Sequence, residues 1–302
     1  MKKCAAVCAF CAFIILSACS FSAPLRAAAM PFYGLDPQPL VLRAEFTTDY
    51  SKSAADRKHN IALAAKSLND ALVAPGEEFS FNRRVGERTK ARGYKEAKII
   101  VGGEFVEGVG GGVCQVSTTL YNAALLAGLW ITECHPHSLQ VSYVKPSFDA
   151  MVSYYTADLK FVNDTKNPMY LKTIADGNKL TVRIYGEKLK GRVVLESRVV
   201  ETFAPEETLI VDEKGEFPEL KKGERLVVGY GKAGVKSEGY ALFFAENGTL
   251  LSKKKIRKDR YNSIARIVVE GTAEPDPPVG AEEETPSALR YSISMLKLRG
   301  TS

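Results

Sequence analysis

Three consecutive glycines directly before a cysteine restrict the fold of this chain more than any other feature of its sequence. Gly110–Gly112 lead through Val113 to Cys114 in the stretch GGGVCQVSTTLYNAAL. Apolar residues then recur at the spacing of one helix face, at Val116, Leu120, Ala123, Ala124 and Ala127. Gly128 follows as a candidate C-terminal cap. The pattern predicts that a flexible loop passes into a buried helix at Cys114.

The N-terminal segment has the layout of an export signal. Lys2 and Lys3 precede an apolar run from Cys4 to Leu16, which is short for a span across a bilayer. The tetrapeptide LSAC resembles a bacterial lipobox, in which Cys19 receives a lipid and becomes the first residue of the mature protein. We therefore expect an exported lipoprotein on the outer face of the membrane. The alternative is a soluble secreted protein, cleaved after Ala27–Ala29.

Most of the six cysteines lie in the signal region rather than in the part expected to fold. The signal region holds Cys4, Cys8, Cys11 and Cys19. The remaining pair, Cys114 and Cys134, is typical of a disulfide in an exported protein, which would contribute about 3 kcal/mol if the geometry allowed it. Reversible thiol redox chemistry between the two is a further alternative.

The apolar patterns of residues 45–190 predict an α+β domain, with helices packed on a mostly antiparallel sheet. From Asp56 to Leu72 an apolar stripe at helical spacing predicts a helix, with Ile61, Ala64, Ala65, Leu68 and Leu72 on its buried face. Strands are predicted at residues 44–50, 137–144, 149–161 and 170–185. Turn signals at Asn167-Pro168 and Asp176-Gly177 separate the later ones.

Residues 191–272 predict a small all-β module. Short strand patterns alternate there with glycine turns, and no segment has a convincing helical period. The predicted strands are residues 192–200, 225–230, 239–245 and 264–269. The other ranges are a signal and leader at 1–29, a linker at 30–44, and a flexible tail at 273–302 that is rich in proline and glutamate.

A cysteine in the first turn of a helix is well placed to act as a nucleophile. The unpaired N–H groups and the dipole of a helix N-terminus favour the thiolate over the thiol. The glycines leave no side chains to obstruct a substrate that approaches the Cys114 sulfur. The same turn offers hydrogen-bond donors to a developing oxyanion. The candidates for substrate or oxyanion binding are Gly111, Gly112, Gln115, Ser117 and Thr118.

A nucleophilic thiol also needs a base, and the chain contains three histidines. His59 lies in the charged start of the first predicted helix and is expected to be solvated. His135 and His137 follow the Cys114 helix, and we prefer His137 because it is in register with the apolar positions of the strand predicted after it. A histidine pair that only caps this loop is the alternative. Asp149 is the candidate to orient the imidazole or to receive an incoming amine.

Metal and nucleic-acid sites have weaker support in the sequence. Cys114, Cys134, His135 and His137 together offer four zinc ligands, but they lack a closely spaced cysteine pair. A closed structural site would also have no need of a glycine-rich approach. We therefore expect no metal and no cofactor. The net charge of +6, with basic and acidic residues interleaved, favours contact with an anionic cell wall and gives no support for nucleic acid.

Several stretches together resemble the VanW family, named for a protein encoded beside vancomycin-resistance genes. They are GGGVCQVSTTLYNAAL, ECHPHSLQVSYV, DAMVSY and DLKFVNDTKNPMYL, preceded by RKHNIALAAKSLND and APGEEFSFNRRVGERT. The resemblance covers residues 45–173. The segment 191–272, which contains ARIVVEGT near its end, is similar to a G5 domain, a small β module of surface proteins proposed to bind N-acetylglucosamine.

The resemblance implies a reaction and a location. Some VanW-family domains are L,D-transpeptidases that form 3-3 peptidoglycan cross-links through a cysteine, which makes Cys114 the nucleophile of a thioester acyl-enzyme. The family commonly has arginine at the position of Cys134, so a disulfide would be peculiar to this chain and would block the nucleophile. The implied partners are peptidoglycan stem peptides and glycan, with the membrane contacted through the lipid anchor. The alternative is a non-catalytic peptidoglycan-binding lipoprotein associated with glycopeptide resistance.

Overall fold

The structure, a computed structural model, describes residues 40–274. This part of the chain contains fifteen strands and three α-helices. The elements up to residue 186 are β1 (Val41–Asp49), α1 (Ala55–Leu68), β2 (Ala71–Val73), β3 (Glu78–Ser80), α2 (Phe81–Val85), a 3-10 helix (Lys90–Arg92), β4 (Glu96–Val101), β5 (Glu104–Val109), α3 (Val113–Leu126), β6 (Trp130–Glu133), β7 (Lys160–Val162), β8 (Met169–Ala175) and β9 (Lys179–Gly186). The later elements are β10 (Arg192–Phe203), β11 (Glu207–Val211), β12 (Arg225–Gly229), β13 (Gly234–Phe244), β14 (Leu250–Tyr261) and β15 (Arg266–Glu270).

The strands pair into several small sheets. An antiparallel sheet has the order β1-β9-β8-β2, a second has the order β3-β7-β6, and β4 and β5 form a hairpin. The later strands form two three-stranded sheets, β10-β13-β14 and β11-β15-β12. In the second of these, β11 pairs with β15 in parallel. The long antiparallel pair of β13 and β14 carries residues that reach the candidate site described below.

The main apolar core lies where α1 and α3 contact the sheet that contains β1. Helix α1 contacts β8, helix α3 contacts β1 and β9, and the two helices contact each other. The predicted apolar faces form this contact, since Ile61, Leu68, Val116 and Leu120 are fully buried. Each such aliphatic side chain stabilises the fold by about 1.5–3 kcal/mol. The core therefore fixes α3, and with it Cys114, against the sheet.

The prediction of an α+β fold class, with helices packed on a mostly antiparallel sheet, was wrong. Strands account for 47% of the structure and helices for 15%, so the chain is mostly β, in several small sheets. The helix predicted as far as Leu72 covered β2, and sequence patterns missed β4, β5, β6, β11 and β14. These strands are largely exposed and several are rich in charged residues, so they lack the alternation of apolar and polar positions that marks a half-buried strand.

Individual elements were predicted with mixed success. Both helices are confirmed, although α1 ends at Leu68 and Leu72 lies exposed in β2. Six later strands are also confirmed, namely β8, β9, β10, β12, β13 and β15. The strand predicted at 137–144 was wrong, because this segment is irregular and forms a single isolated bridge, between Leu139 and Asn262. Most of the strand predicted at 149–161 is also irregular.

Two observations bear on the predicted export signal and tail. No helix within residues 40–274 has the length and apolar character needed to cross a bilayer. The predicted signal and leader at 1–29, with Cys19, lies outside the described residues. Most of the linker at 30–44 and of the tail at 273–302 lies outside them as well.

Candidate active site

Backbone conformation and close packing explain why glycines precede α3. The φ angles of Gly110 and Gly112 are +88° and +109°, a region that residues with side chains rarely adopt. At Gly111 an added Cβ would lie 2.6 Å from the carbonyl oxygen of Ala97 in β4. Gly112 is the N-cap of α3, so Cys114 lies in the first turn of that helix. A larger residue in the run would displace the turn that holds Cys114.

Cys114 is partly exposed although most of α3 is buried. Its Sγ lies 3.5 Å from the carbonyl oxygen of Val152, and the neighbouring side chain of His137 lowers the pKa of the thiol. Both Cys114 and Cys134 are free thiols, so the disulfide considered from the sequence is not formed. The thiol of Cys114 is thus half-buried and adjacent to an imidazole.

His137 and Asp149 form a buried pair beside that sulfur. Nδ1 of His137 donates to Oδ2 of Asp149 over 2.6 Å, and the backbone N–H of His137 donates to the same oxygen over 2.7 Å. The exposed fractions of the two side chains are 6% and 1%. With Nδ1 held by Asp149, Nε2 is the ring nitrogen left for Cys114. Thiol, imidazole and carboxylate therefore stand in the order that nucleophilic catalysis uses.

His135 has a different partner and a different role. Its Nε2 lies 3.0 Å from Oε1 of Glu133, and its side chain is 41% exposed. Its backbone carbonyl accepts a hydrogen bond from the N–H of Met151 over 2.8 Å. His135 therefore holds the segment that carries Asp149 alongside the segment that carries His137, and its backbone does this rather than its ring.

Sequence reasoning missed two residues of the site, both on β14. Arg257 Nη2 donates to Oδ1 of Asp149 over 2.8 Å, and the hydroxyl of Tyr261 donates to the same oxygen over 2.5 Å. Arg257 Nε also donates to Asp259 over 2.8 Å. The carboxylate that orients His137 is therefore itself held by a strand more than a hundred residues later in the chain. No local motif marks these residues, because they lie in the charged stretch LSKKKIRKDRY.

The charges of the site favour a thiolate and an imidazolium. Burial would lower the pKa of His137, but its hydrogen bonds with Asp149 and Cys114 and their negative charges raise that pKa to about 9. Burial would raise the pKa of Asp149, but His137, Arg257 and Tyr261 hold it at about 2. Burial also opposes ionisation of Cys114, and yet His137, the Val152 backbone and Arg88 together lower the pKa of this thiol.

The predicted substrate-binding side chains on α3 are buried and bonded within the protein. Gln115 donates to the carbonyl of Asp49 over 2.9 Å and accepts from Arg57 over 2.8 Å. Ser117 donates to the carbonyl of Ala150 over 2.6 Å, and Thr118 accepts from the Ala150 N–H over 2.9 Å. Ser117 and Thr118 therefore fix the residue next to Asp149. Contact of these three side chains with substrate stays a prediction.

Cys134 occupies an environment unlike that of Cys114. Its Sγ accepts from Arg257 Nη1 over 3.0 Å, and burial raises the pKa of its thiol to about 12. Such a thiol is a poor nucleophile near neutral pH.

Within residues 40–274 no group of three or more acidic, histidine and cysteine side chains is arranged to hold a metal ion.

A cavity of about 450 Å³ lies beside the imidazole of His137. Its walls come from the β4–β5 hairpin, the loop around His137 and the end of β14, and include Ile100, Gly102, Pro136, Ser138, Arg260 and Asn262. This volume lies in the range of pockets that hold small ligands. A ligand in this cavity would contact His137 and would lie between the β4–β5 hairpin and the end of β14.

The lowered pKa of Cys114 has an expected consequence for its reactivity. Because thiolate persists below the ordinary pKa of a thiol, alkylation by neutral iodoacetamide should remain fast near neutral pH and should slow as the pH falls through the lowered pKa. In His137→Ala the thiol pKa should rise, and the rate near neutral pH should fall roughly tenfold or more. Mass spectrometry of the Cys114 peptide against pH measures this, with the Cys134 peptide as the internal control. Equal rates in the variant and the wild type would contradict the pairing.

Comparison with known proteins gives a family match that includes Cys114, His137 and Asp149. Residues 56–185 match the family model described as VanW like protein. Uncharacterized protein YoaR of Bacillus subtilis (strain 168) is 44% identical over 141 residues, which are 47% of this chain and 46% of that protein. Vancomycin B-type resistance protein VanW of Enterococcus faecalis (strain ATCC 700802 / V583) is 30% identical over 178 residues, 57% of this chain and 62% of that protein. The chain thus spans less than two thirds of either relative.

A solved structure of an IgA1 protease G5 domain matches 28% of this chain and 96% of the chain in that structure, with 21% sequence identity and a TM-score of 0.18.

Proposed function

We propose that this chain, whose residues 56–185 are a VanW family domain, is a cysteine-dependent L,D-transpeptidase that forms 3-3 cross-links in peptidoglycan. The observation that carries the proposal is the position of Cys114 at the start of α3 beside His137, which is hydrogen-bonded to the buried carboxylate of Asp149. A partly exposed thiol of lowered pKa, beside a histidine held by a buried carboxylate, supports nucleophilic acyl transfer.

In the first half-reaction the Cys114 thiolate attacks the carbonyl that joins the third residue of a stem tetrapeptide to its terminal D-alanine. The tetrahedral intermediate collapses as the carbon–nitrogen bond breaks. The imidazolium of His137 gives its proton to the departing D-alanine amine, and a thioester of the remaining tripeptide stays on Cys114. The backbone N–H of Cys114, which has no acceptor among the described residues, is a donor for the oxyanion.

In the second half-reaction the side-chain amine of a neighbouring stem attacks the thioester. Neutral His137 accepts the proton that this amine loses, the carbon–sulfur bond breaks, and the thiolate–imidazolium pair is restored. The cavity beside His137 gives the acceptor stem an approach to the same imidazole. Water in place of the amine would release a trimmed tripeptide stem. Neither step requires a metal or an organic cofactor.

The proposed location follows from the N-terminal sequence. The basic and apolar segment that ends in LSAC supports export and lipidation at Cys19, which would tether the protein outside the cytoplasmic membrane. The residues after 190 would then contact wall glycan while the VanW domain acts on stem peptides. The excess of positive charge over the chain is suited to an anionic wall.

The acyl-enzyme itself provides the test of this function. Full-length protein is mixed with a disaccharide tetrapeptide, quenched in acid after a short interval, and examined by intact-mass and peptide mass spectrometry. We expect the Cys114 peptide to gain the mass of the tripeptide acyl group and to lose it in neutral hydroxylamine, which cleaves thioesters. Binding of the peptide with neither adduct nor product would contradict the proposal and indicate a wall-binding protein instead.

A further inference from the structure

Arg88 lies beside the glycine loop, and one of its guanidinium nitrogens has no hydrogen-bond acceptor among the described residues. Its Cβ and Cγ pack against Gly110, where an added Cβ would lie 2.9 Å and 3.2 Å from them. Its Nη2 donates to Oδ1 of Asn82 over 2.7 Å, and its guanidinium lies 5.6 Å from the centre of the Phe81 ring. Its Nη1 is buried and has no acceptor among the described residues. Part of a charged, directional donor is therefore left unsatisfied next to the loop that leads to Cys114.

The guanidinium of Arg88 also has no close ion-pair partner. No carboxylate within residues 40–274 lies at salt-bridge distance from it, Asp158 acts on its charge from further away, and burial lowers its pKa. Its Asn82 partner donates to the carbonyl of Ser153 over 3.0 Å, and the carbonyl of the adjacent Val152 lies 3.5 Å from the Cys114 sulfur, so the guanidinium lies on the same side of the site as that sulfur. A buried cation without an anion is costly, so such groups usually serve a ligand or a reacting charge. By contrast Arg57, which packs against Gly112, donates to both Ser53 and Gln115.

A second unsatisfied donor lies near Arg88. The hydroxyl of Tyr94 is buried and has no partner among the described residues, and Tyr94 is only 3% exposed. The charge of Arg88 acts on this hydroxyl as well. A guanidinium and a phenol offer N–H and O–H donors of the kind that bind the two oxygens of a carboxylate.

We propose that Arg88, assisted by Tyr94, binds the free C-terminal carboxylate of the amino acid that leaves during acylation of Cys114. This inference rests on the proposed function and adds a substrate requirement to it. The carboxylate of the leaving residue lies only a few bonds from the carbonyl that the sulfur attacks, so a cation beside the sulfur can reach it. The site would therefore accept a stem in which a single residue follows the reacting carbonyl and would discriminate against amidated or longer stems.

Two alkylating reagents test the anion site without any peptide substrate. Iodoacetate and iodoacetamide react with the same thiolate by displacement of iodide, and the ratio of their rates cancels the fraction of thiol that is ionised. We expect the iodoacetate to iodoacetamide ratio at Cys114 to exceed that of glutathione roughly tenfold, as one charge-assisted hydrogen bond would give. A wild-type ratio equal to that of glutathione would overturn the proposal, whatever the variants do.

Variants assign the preference to Arg88. Arg88→Gln should bring the ratio down to that of glutathione, and Arg88→Lys should restore part of it because the charge is kept while the planar fork is lost. Arg84→Gln is the matched control, since Arg84 is exposed and donates to the carbonyls of Ser67 and Asn69. Its ratio should equal that of the wild type. An unchanged ratio in Arg88→Gln would contradict the assignment.

Peptide substrates then separate this inference from the proposed function. The wild type should act on a tetrapeptide with a free C-terminus roughly tenfold more efficiently, in kcat/KM, than on its C-terminal amide, and Arg88→Gln should lose this difference. Equal action on both peptides by the wild type would overturn the carboxylate site and leave the transpeptidase intact. Selective alkylation without turnover of either peptide would retain the anion site and refute the transpeptidase.

Discussion

Cys114→Ala should abolish both cross-linked and trimmed products, a decrease of roughly 10⁵-fold or more. The reason is that the variant lacks the only atom that can carry the acyl group, and the loss of a nucleophile removes most of the catalysis that such a site provides. Purified full-length protein and variant are incubated with muropeptides, and the products are quantified by mass spectrometry. Alanine is favourable in a helix, so α3 should persist and the unfolding temperature should change little.

The second free cysteine provides the matched control for that experiment. Cys134→Ala removes a thiol that is half-buried like that of Cys114. The pKa of the Cys134 thiol is raised to about 12, and its sulfur accepts a hydrogen bond from Arg257. This variant should keep activity within a few-fold of the wild type. Full activity in Cys114→Ala, or equal losses in the two variants, would contradict the assignment of the nucleophile.

Arg257→Leu should destabilise the protein by about 3–5 kcal/mol, because it leaves two buried carboxylates without their shared cation. Arg257 bonds to both Asp149 and Asp259, whose side chains are 1% and 4% exposed. Urea unfolding followed by circular dichroism measures the change in the free energy of unfolding. Lys258→Leu is the control, since Lys258 is the exposed neighbour on β14 and should change stability little. Unfolding of Arg257→Leu at the urea concentration of the wild type would contradict the role of Arg257.

The same variant should alter the response to acid. The pKa of Asp149 is depressed to about 2, so its contribution to stability is present above the pKa of an unfolded aspartate and is lost as the pH falls towards 2. Without Arg257 the pKa of Asp149 should rise towards that of an unfolded aspartate, so the acid-dependent loss of stability should be smaller and should be complete at a higher pH. Arg257→Lys, which keeps the charge, should lie between the variant and the wild type. Unfolding midpoints measured over a series of acidic pH values provide this comparison.

The sequence predicts the parts of the site that depend on local pattern. Glycine at positions of positive φ, and apolar residues on one helix face, are local requirements, and they indicated both the loop before Cys114 and the buried helix after it. His137 and Asp149 were named as candidates from chemistry and chain order, and the structure brings them together with Cys114. Their catalytic roles stay predictions until activity is measured.

The parts that were missed depend on contacts between distant segments. β14 has lysine or arginine at half of its 12 positions, and a pattern of that kind gives no signal of a strand or of a buried face. The burial of Arg257 and Tyr261 arises only when β14 pairs with β13 and lies against the segment around Asp149. Arg88 was missed for a related reason, because a charged loop residue becomes notable only once its unused donor is seen beside Gly110.

The dependence of Asp149 on Arg257 and Tyr261 means that the reactive centre is not contained in the matched family segment, which ends at residue 185. A product truncated by proteolysis or by a premature stop codon between residues 149 and 257 would retain the sulfur, both histidines that follow it and the carboxylate, but would lack the groups that immobilise this carboxylate. Integrity of the C-terminal third would then determine what fraction of the protein has the oriented His137 that the proposed function requires.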